Sequence, residues 1–162
     1  ESFRPFAPIV LEDRVSEWFE LDRPSAYMSI VAPVRGAEAA APPEDDDPRP
    51  GDPVDLGERL DRIRSRVPAV THVDGSARIQ TVDEHRNPAL HRLLTAFDEV
   101  TGCPVLVNTS FNVRGEPIVA TAEDAYRCFM TTDVDWLLID DCLLAKTEQP
   151  AWSGPATMAT VD

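Results

Sequence analysis

The sequence predicts an α/β fold, a mixed sheet flanked by helices. Short apolar runs of strand length recur along the chain, and three segments carry apolar residues three and four apart as helices do. The two patterns interleave without regular βαβ spacing, which favours a mixed over an all-parallel sheet.

Residues 6–11 read as the first strand. Val15, Trp18 and Phe19 then place an apolar stripe on a short helix beginning near Glu12. Residues 27–34, rich in Ile, Val and Tyr, are a second strand. From 35 to 53 the composition shifts to Gly, Ala, Pro and Asp, the mark of a flexible insertion with too little apolar surface to fold alone. Leu56, Leu60, Ile63 and Val67 mark an amphipathic helix ended by Pro68. The apolar segment 69–73 runs into Asp74-Gly75, and 77–82 alternates like a strand, so a hairpin is expected there. Leu90, Leu93, Leu94, Phe97 and Val100 form a helical stripe that starts after Asn87-Pro88 and stops at Gly102. A strand at 104–108 leads into a polar loop and a short strand at 117–120. Thr121 begins a helix with Asp124 three residues on, close to a capping box. Residues 136–139 and 142–145 are the last strands, and the tail after Gln149 is expected to be disordered. No internal repeat is visible.

A chain of 162 residues can bury one core. Its formal charge of -14 speaks against a broad nucleic-acid-binding face. The acidity is uneven, however. Glu44-Asp45-Asp46-Asp47 lies in the Pro-rich run, whereas Arg59, Arg62, Arg64, Arg66, Arg78, Arg86, Arg92 and Arg114 come later, so a small basic pocket remains open. Cys103, Cys128 and Cys142 are odd in number and widely spaced, a pattern that suits reduced thiols of a cytoplasmic protein. His72, His85 and His91 form no metal-spaced pair, so no metal site is expected. No apolar run approaches the roughly 20 residues of a membrane span. The opening at Glu1 and Phe3-Arg4-Pro5-Phe6-Ala7-Pro8-Ile9 reads as the middle of a longer polypeptide.

Three groups of residues are candidates for chemistry. The strand at 104–108 breaks into Asn108-Thr109-Ser110-Phe111-Asn112-Val113-Arg114-Gly115-Glu116-Pro117, which delivers amides and hydroxyls to one spot. Such groups suit phosphates or a small polar ligand head beyond a strand end, and equally a plain polar turn. In His72-Val73-Asp74-Gly75-Ser76-Ala77-Arg78-Ile79-Gln80, alternation puts Arg78 and Gln80 on one face and Ala77 and Ile79 on the other. Arg78 is either an anion clamp, whose fork of donors matches phosphate, or a solvent-facing arginine on a half-buried strand. Arg4, between two aromatics and two prolines, is either a rigidly aimed guanidinium or part of an extended terminus. His72 reads as a structural hydrogen-bonding residue, and Cys103, before a buried strand with no adjacent base, as an inert thiol. Ser110 lacks a G-x-S-x-G elbow, and neither a Walker loop nor a G-x-G-x-x-G is present.

These segments in this order, together with Glu123-Asp124-Ala125, closely resemble the C-terminal domain of the NodU/CmcH-type O-carbamoyltransferases of antibiotic biosynthesis and nodulation-factor decoration. The resemblance covers 1–146, with a flexible Pro/Asp-rich insertion at 35–54 and a tail at 147–162. It implies a YrdC/Sua5-like twisted open sheet, and a site where carbamoyl phosphate and ATP with Mg²⁺ become carbamoyl adenylate. It also implies an N-terminal Kae1-like domain that binds iron and passes the carbamoyl group to an acceptor hydroxyl. That domain would be absent from this fragment, so the fragment alone would not complete transfer. Carried over by position, Arg4 and Arg78 resemble anion-binding arginines, and Asn108 and Ser110 the polar pair that holds the carbamoyl or phosphate portion, with Arg114 as a neighbour. Arg78, Asn108 and Ser110 are the residues expected to carry catalysis. Phosphoryl and adenylyl transfer ask chiefly for positioning and charge stabilisation, so a site without a nucleophile fits.

The chain departs from the family pattern in three places. A lysine expected shortly before Phe3 lies beyond the start of this sequence. Ser25-Ala26-Tyr27-Met28 stands for Ser-Pro-Tyr-Met, and Asp74-Gly75-Ser76 for Asp-Gly-Thr. Two rival readings remain: a threonylcarbamoyl-adenylate synthase of tRNA modification, against which the acidity and the lack of a basic stripe weigh, and a catalytically silent ligand-binding module.

Overall fold

Strand β1 (Ala7–Leu11) is apolar at every position because it has no solvent side: all five residues are buried. It lies inside a four-stranded sheet of order β2-β3-β1-β4, with β2 at Ile30–Pro33, β3 at Ser76–Val82 and β4 at Val105–Asn108. β1 runs parallel to β3 and antiparallel to β4, while β2 is antiparallel to β3. The sheet is therefore mixed and open, as expected. The parallel ladder starts at Ile9, past Pro8, whose ring nitrogen has no hydrogen to give. Pro33 lies on the outer strand β2, where prolines are tolerated in sheets.

The computed structural model describes residues 5–37, 65–113 and 115–154. They belong to two compact units that divide between Thr109 and Ser110.

In the first unit helices cover both faces of the sheet. On one face Val10, Ala77, Ile79, Ala32 and Val105 meet Val15, Trp18 and Phe19 from the short helix α1 (Val15–Trp18) and its end. Arg66 stacks on the Trp18 ring, 3.7 Å from its centre. On the other face Ile9, Leu11 and Val82 receive Leu94 of helix α2 (Pro88–Thr101). The ends of α2 follow from its sequence. Asn87 accepts a hydrogen bond from the Leu90 amide, Pro88 opens the first turn, and Gly102 closes the helix in the left-handed region at φ 70°. Only part of its apolar stripe is used: Leu94 is fully buried, whereas Leu93 and Val100 remain exposed.

The second unit packs helix α3 (Ala122–Thr131) on a hairpin of β5 (Trp136–Ile139) and β6 (Cys142–Ala145), through Ala125, Phe129 and Leu137. A full capping box joins Thr121 and Asp124. The two-residue turn places Asp140 at φ 48°, as tight hairpins require. Lys146 donates to the Thr132 carbonyl and stands 5.0 Å from the centre of the Phe129 ring. Trp152, in the tail, rests edge-on against Tyr126.

Three sequence expectations are corrected. Segment 69–73 is no strand: Pro68–Val70 is a 3-10 turn, and although His72 and Gly75 close a tight turn, β3 pairs with β2 and β1 rather than with 69–73. Residues 117–120 form no strand, and the Val119 N–H donates to the Phe111 carbonyl. The strand expected at 27–34 is only Ile30–Pro33, because Met28 takes a positive φ of 55° that breaks extension. The helix expected through Leu56, Leu60 and Ile63 lies outside the described residues, as does most of the 35–54 insertion.

Candidate functional site

β3 supplies the centre of the site. Ala77 and Ile79 point into the core, so Arg78 and Gln80 leave by the opposite face, Arg78 exposed and Gln80 half-buried. The segment at Ser25 is fixed against this strand. The Ser25 hydroxyl donates to the Ile79 carbonyl (2.8 Å), the Ser25 amide donates to the Thr81 hydroxyl (2.9 Å), and the Thr81 amide donates to the Ser25 carbonyl (3.0 Å). This pins the neighbouring Ala26 carbonyl over Gln80, whose Nε2 donates to it at 3.1 Å.

β4 brings the second part. Asn108 ends that strand directly opposite Ala7 of β1. Its Nδ2 donates across β1 to Gln80 Oε1 at 2.6 Å. On β1 the register partners of the two are Ile9 for Gln80 and Ala7 for Asn108. Arg78 and Asn108, both predicted from sequence, thus share one sheet face, connected through Gln80 two residues along from Arg78.

Arg78 pairs in register with Val31, and its guanidinium has no hydrogen-bond or ion-pair partner among the described residues. An arginine without a carboxylate keeps its whole fork available for an incoming anion. Arg4 and Arg114 lie outside the described residues. Ser110 begins the second unit and is exposed. In that unit the polar loop is held by Asn112, whose Nδ2 donates to the Val113 and Glu116 carbonyls at 3.2 and 3.1 Å. Asn112 therefore shapes the loop.

The turn before β3 contains His72, Ser76 and Asp74, but not in a nucleophile's order. The Ser76 hydroxyl donates its proton to Asp74 Oδ1 (2.7 Å), so the 2.9 Å bond to His72 Nδ1 is made by an Nδ1 hydrogen. His72 cannot take a proton from Ser76 in this arrangement, in keeping with a structural role. The Ser76 hydroxyl, then its amide, hold the Asp74 carboxyl below the usual range against the opposing effect of burial, and the nearby His72 adds to the lowering. Cys128 is buried, which pushes its thiol up and makes it inert.

A hollow of about 330 Å³ lies at the carboxyl ends of β1 and β3, lined by Glu12, Asp13, Asp83 and Glu84 with His85 and His91. Four carboxylates give it the wrong sign for a phosphate. The Arg78 face carries the chemistry that an anion needs. Among the described residues no group of three or more His, Cys, Asp and Glu is arranged to hold a metal ion, and no helix is long and apolar enough to cross a membrane.

Sequence reasoning placed Gln80 on the Arg78 face but gave it no role. The available signal was a glutamine at the same alternation as Arg78. Its partner on β4 emerges only once the strand order is known.

A family model described as Carbamoyltransferase C-terminus matches residues 1–146. An uncharacterized Synechocystis sp. protein, sll1178, is 56% identical over 153 residues, 93% of this chain and 24% of that protein. The nodulation protein NolNO of Sinorhizobium fredii is 39% identical over 158 residues, 94% of this chain and 20% of its own length. The 3'-hydroxymethylcephem-O-carbamoyltransferase of Amycolatopsis lactamdurans is 40% identical over 148 residues, 91% and 23%. The chain spans between a fifth and a quarter of these relatives. By the match over 1–146, and by the order of its motifs, the chain belongs to the carbamoyltransferase C-terminal domain family.

Proposed function

We propose that this chain is the part of an O-carbamoyltransferase that forms carbamoyl adenylate from carbamoyl phosphate and ATP. One water is consumed, and pyrophosphate and phosphate leave. The observation that carries the reading is the Arg78 guanidinium, unpaired among the described residues, on the same sheet face as the Gln80-held amide of Asn108. A cationic fork suits the phosphate end of such a substrate, and an oriented amide suits its carbamoyl end. Gln80, Asn108 and Ala7 beside Arg78 carry no charge that would compete for it. Mg²⁺ enters on the nucleotide phosphates. By their place in the order of motifs, Arg4, Ser110 and Arg114 are further residues proposed to contact the substrates.

The carbamoyl group then passes to an acceptor hydroxyl of a natural product or sugar. That step belongs to an iron-binding Kae1-like domain in the same polypeptide, in keeping with the small share of its relatives that this chain covers. The protein acts in the cytoplasm.

The test is pyrophosphate release by the natural polypeptide that contains this chain, incubated with ATP and carbamoyl phosphate. Carbamoyl-phosphate-dependent release is expected, and Arg78→Ala abolishes it in a folded protein. Release that depends on bicarbonate and threonine instead, or nucleotide binding with no release, overturns the reading.

A further inference from the structure

We propose that Gln80 is a positioning residue that makes this face selective for a carbamoyl group over other acyl groups of the same shape, by fixing which end of the Asn108 amide meets the ligand. The inference rests on the reading above that carbamoyl phosphate binds here.

An amide side chain has a donating and an accepting end of nearly equal size, and it serves either way round unless a neighbour decides. Here a chain of three groups decides. The Ala26 carbonyl is backbone oxygen and only accepts, so Gln80 turns its NH₂ toward it, at 3.1 Å. That leaves Gln80 Oε1 facing β4, an acceptor that only a donor can satisfy. Asn108 therefore offers its NH₂, at 2.6 Å. Its Oδ1 is left with no donor among the described residues. The direction originates in the backbone, which has no alternative state, and Ser25 holds that backbone in place through its bonds to Ile79 and Thr81.

A fixed acceptor on the Arg78 face distinguishes acyl phosphates that size does not. Carbamoyl phosphate carries an NH₂ where acetyl phosphate carries a CH₃ of similar volume. Oδ1 accepts from the first and is stranded without a partner by the second, and a site built to bond an N–H discriminates strongly against the analogue that lacks it. Without Gln80 the Asn108 amide turns over freely, and both its ends are presented.

The experiment compares pyrophosphate release with carbamoyl phosphate and with acetyl phosphate, in the natural polypeptide containing this chain, as a ratio of kcat/KM values. Wild type is expected to prefer carbamoyl phosphate. Gln80→Met, which matches the length without either polar end, lowers that preference about tenfold or more, the worth of one oriented hydrogen bond. Gln80→Glu keeps an oxygen toward Asn108 Nδ2 and retains most of the preference. A merely structural role for Gln80 would depress both substrates together and leave the ratio unchanged, which would overturn the proposal. So would a Gln80→Glu protein as unselective as Gln80→Met, or a wild type that releases pyrophosphate equally with either substrate. Absence of release with carbamoyl phosphate in wild type defeats the functional reading itself, and this proposal with it.

Discussion

Gln80 and Asn108 stand on strands separated by a third, and their side chains still meet at 2.6 Å across β1, where Ile9 is the register partner of Gln80 and Ala7 that of Asn108. Ala7 is the smaller of these two β1 residues, and it is buried. Ala7→Leu would overfill this buried position and part the two amides, at a cost of about 1–3 kcal/mol in stability. Urea unfolding gives the stability change, and the side-chain amide resonance of Asn108 reports the lost bond through faster exchange with water.

Arg78→Lys tests the fork rather than the charge. Lysine keeps the cation and loses the planar bidentate geometry. We expect kcat/KM for carbamoyl-phosphate-dependent pyrophosphate release to fall at least about tenfold. Arg78 is exposed, so stability should move by no more than about 0.5 kcal/mol. Chemical denaturation and initial rates separate the two effects.

Leu94 is the side chain by which α2 is anchored to Ile9, Leu11 and Val82, and it is completely buried. Leu94→Ala leaves a cavity and should cost about 2–5 kcal/mol. The same truncation at exposed Val100 of this helix should cost far less. A pair of denaturation curves checks the contrast.

The capping box at the start of α3 makes a smaller, local prediction. Thr121→Ala removes the acceptor of the Asp124 amide hydrogen and should destabilise by about 1 kcal/mol. Thr121→Ser keeps the oxygen and should recover most of that loss. Thermal melts of both variants decide it.

Asp74 gives the pH dependence. Its carboxyl is more acidic when folded, first because the Ser76 hydroxyl and then because the Ser76 amide donate to it. Such a group adds stability above the unfolded pKa of about 3.9, and that stability is lost as pH falls through the lowered folded value. Wild type should therefore exceed Asp74→Asn in stability at pH 6, with the gap closing below about pH 4. Asp74 is exposed, so solvent screening keeps the gap small. Unfolding curves at pH 6, 4 and 2.5 measure it.

Local chemistry was legible wherever a single segment decided the outcome. Asn87-Pro88 and Gly102 bound α2, Thr121 and Asp124 start α3, and the alternation of 77–82 gave the faces of β3. The expected hairpin failed because Asp74-Gly75 does form a tight turn, but Pro68 commits the residues before it to a 3-10 turn. The partners of β3 are instead distant in sequence, and no local pattern names them. The same reason hid the role of Gln80. Motif order singled out Arg78 and Asn108, while the link between them depends on a strand order in which β1 intervenes.

One consequence concerns position 26. The group that Gln80 grips there is a main-chain oxygen, which all twenty amino acids possess. Alanine and proline at this position are thus equivalent as acceptors seen from Gln80, and the side chain there can change without rewriting the recognition chemistry downstream of it.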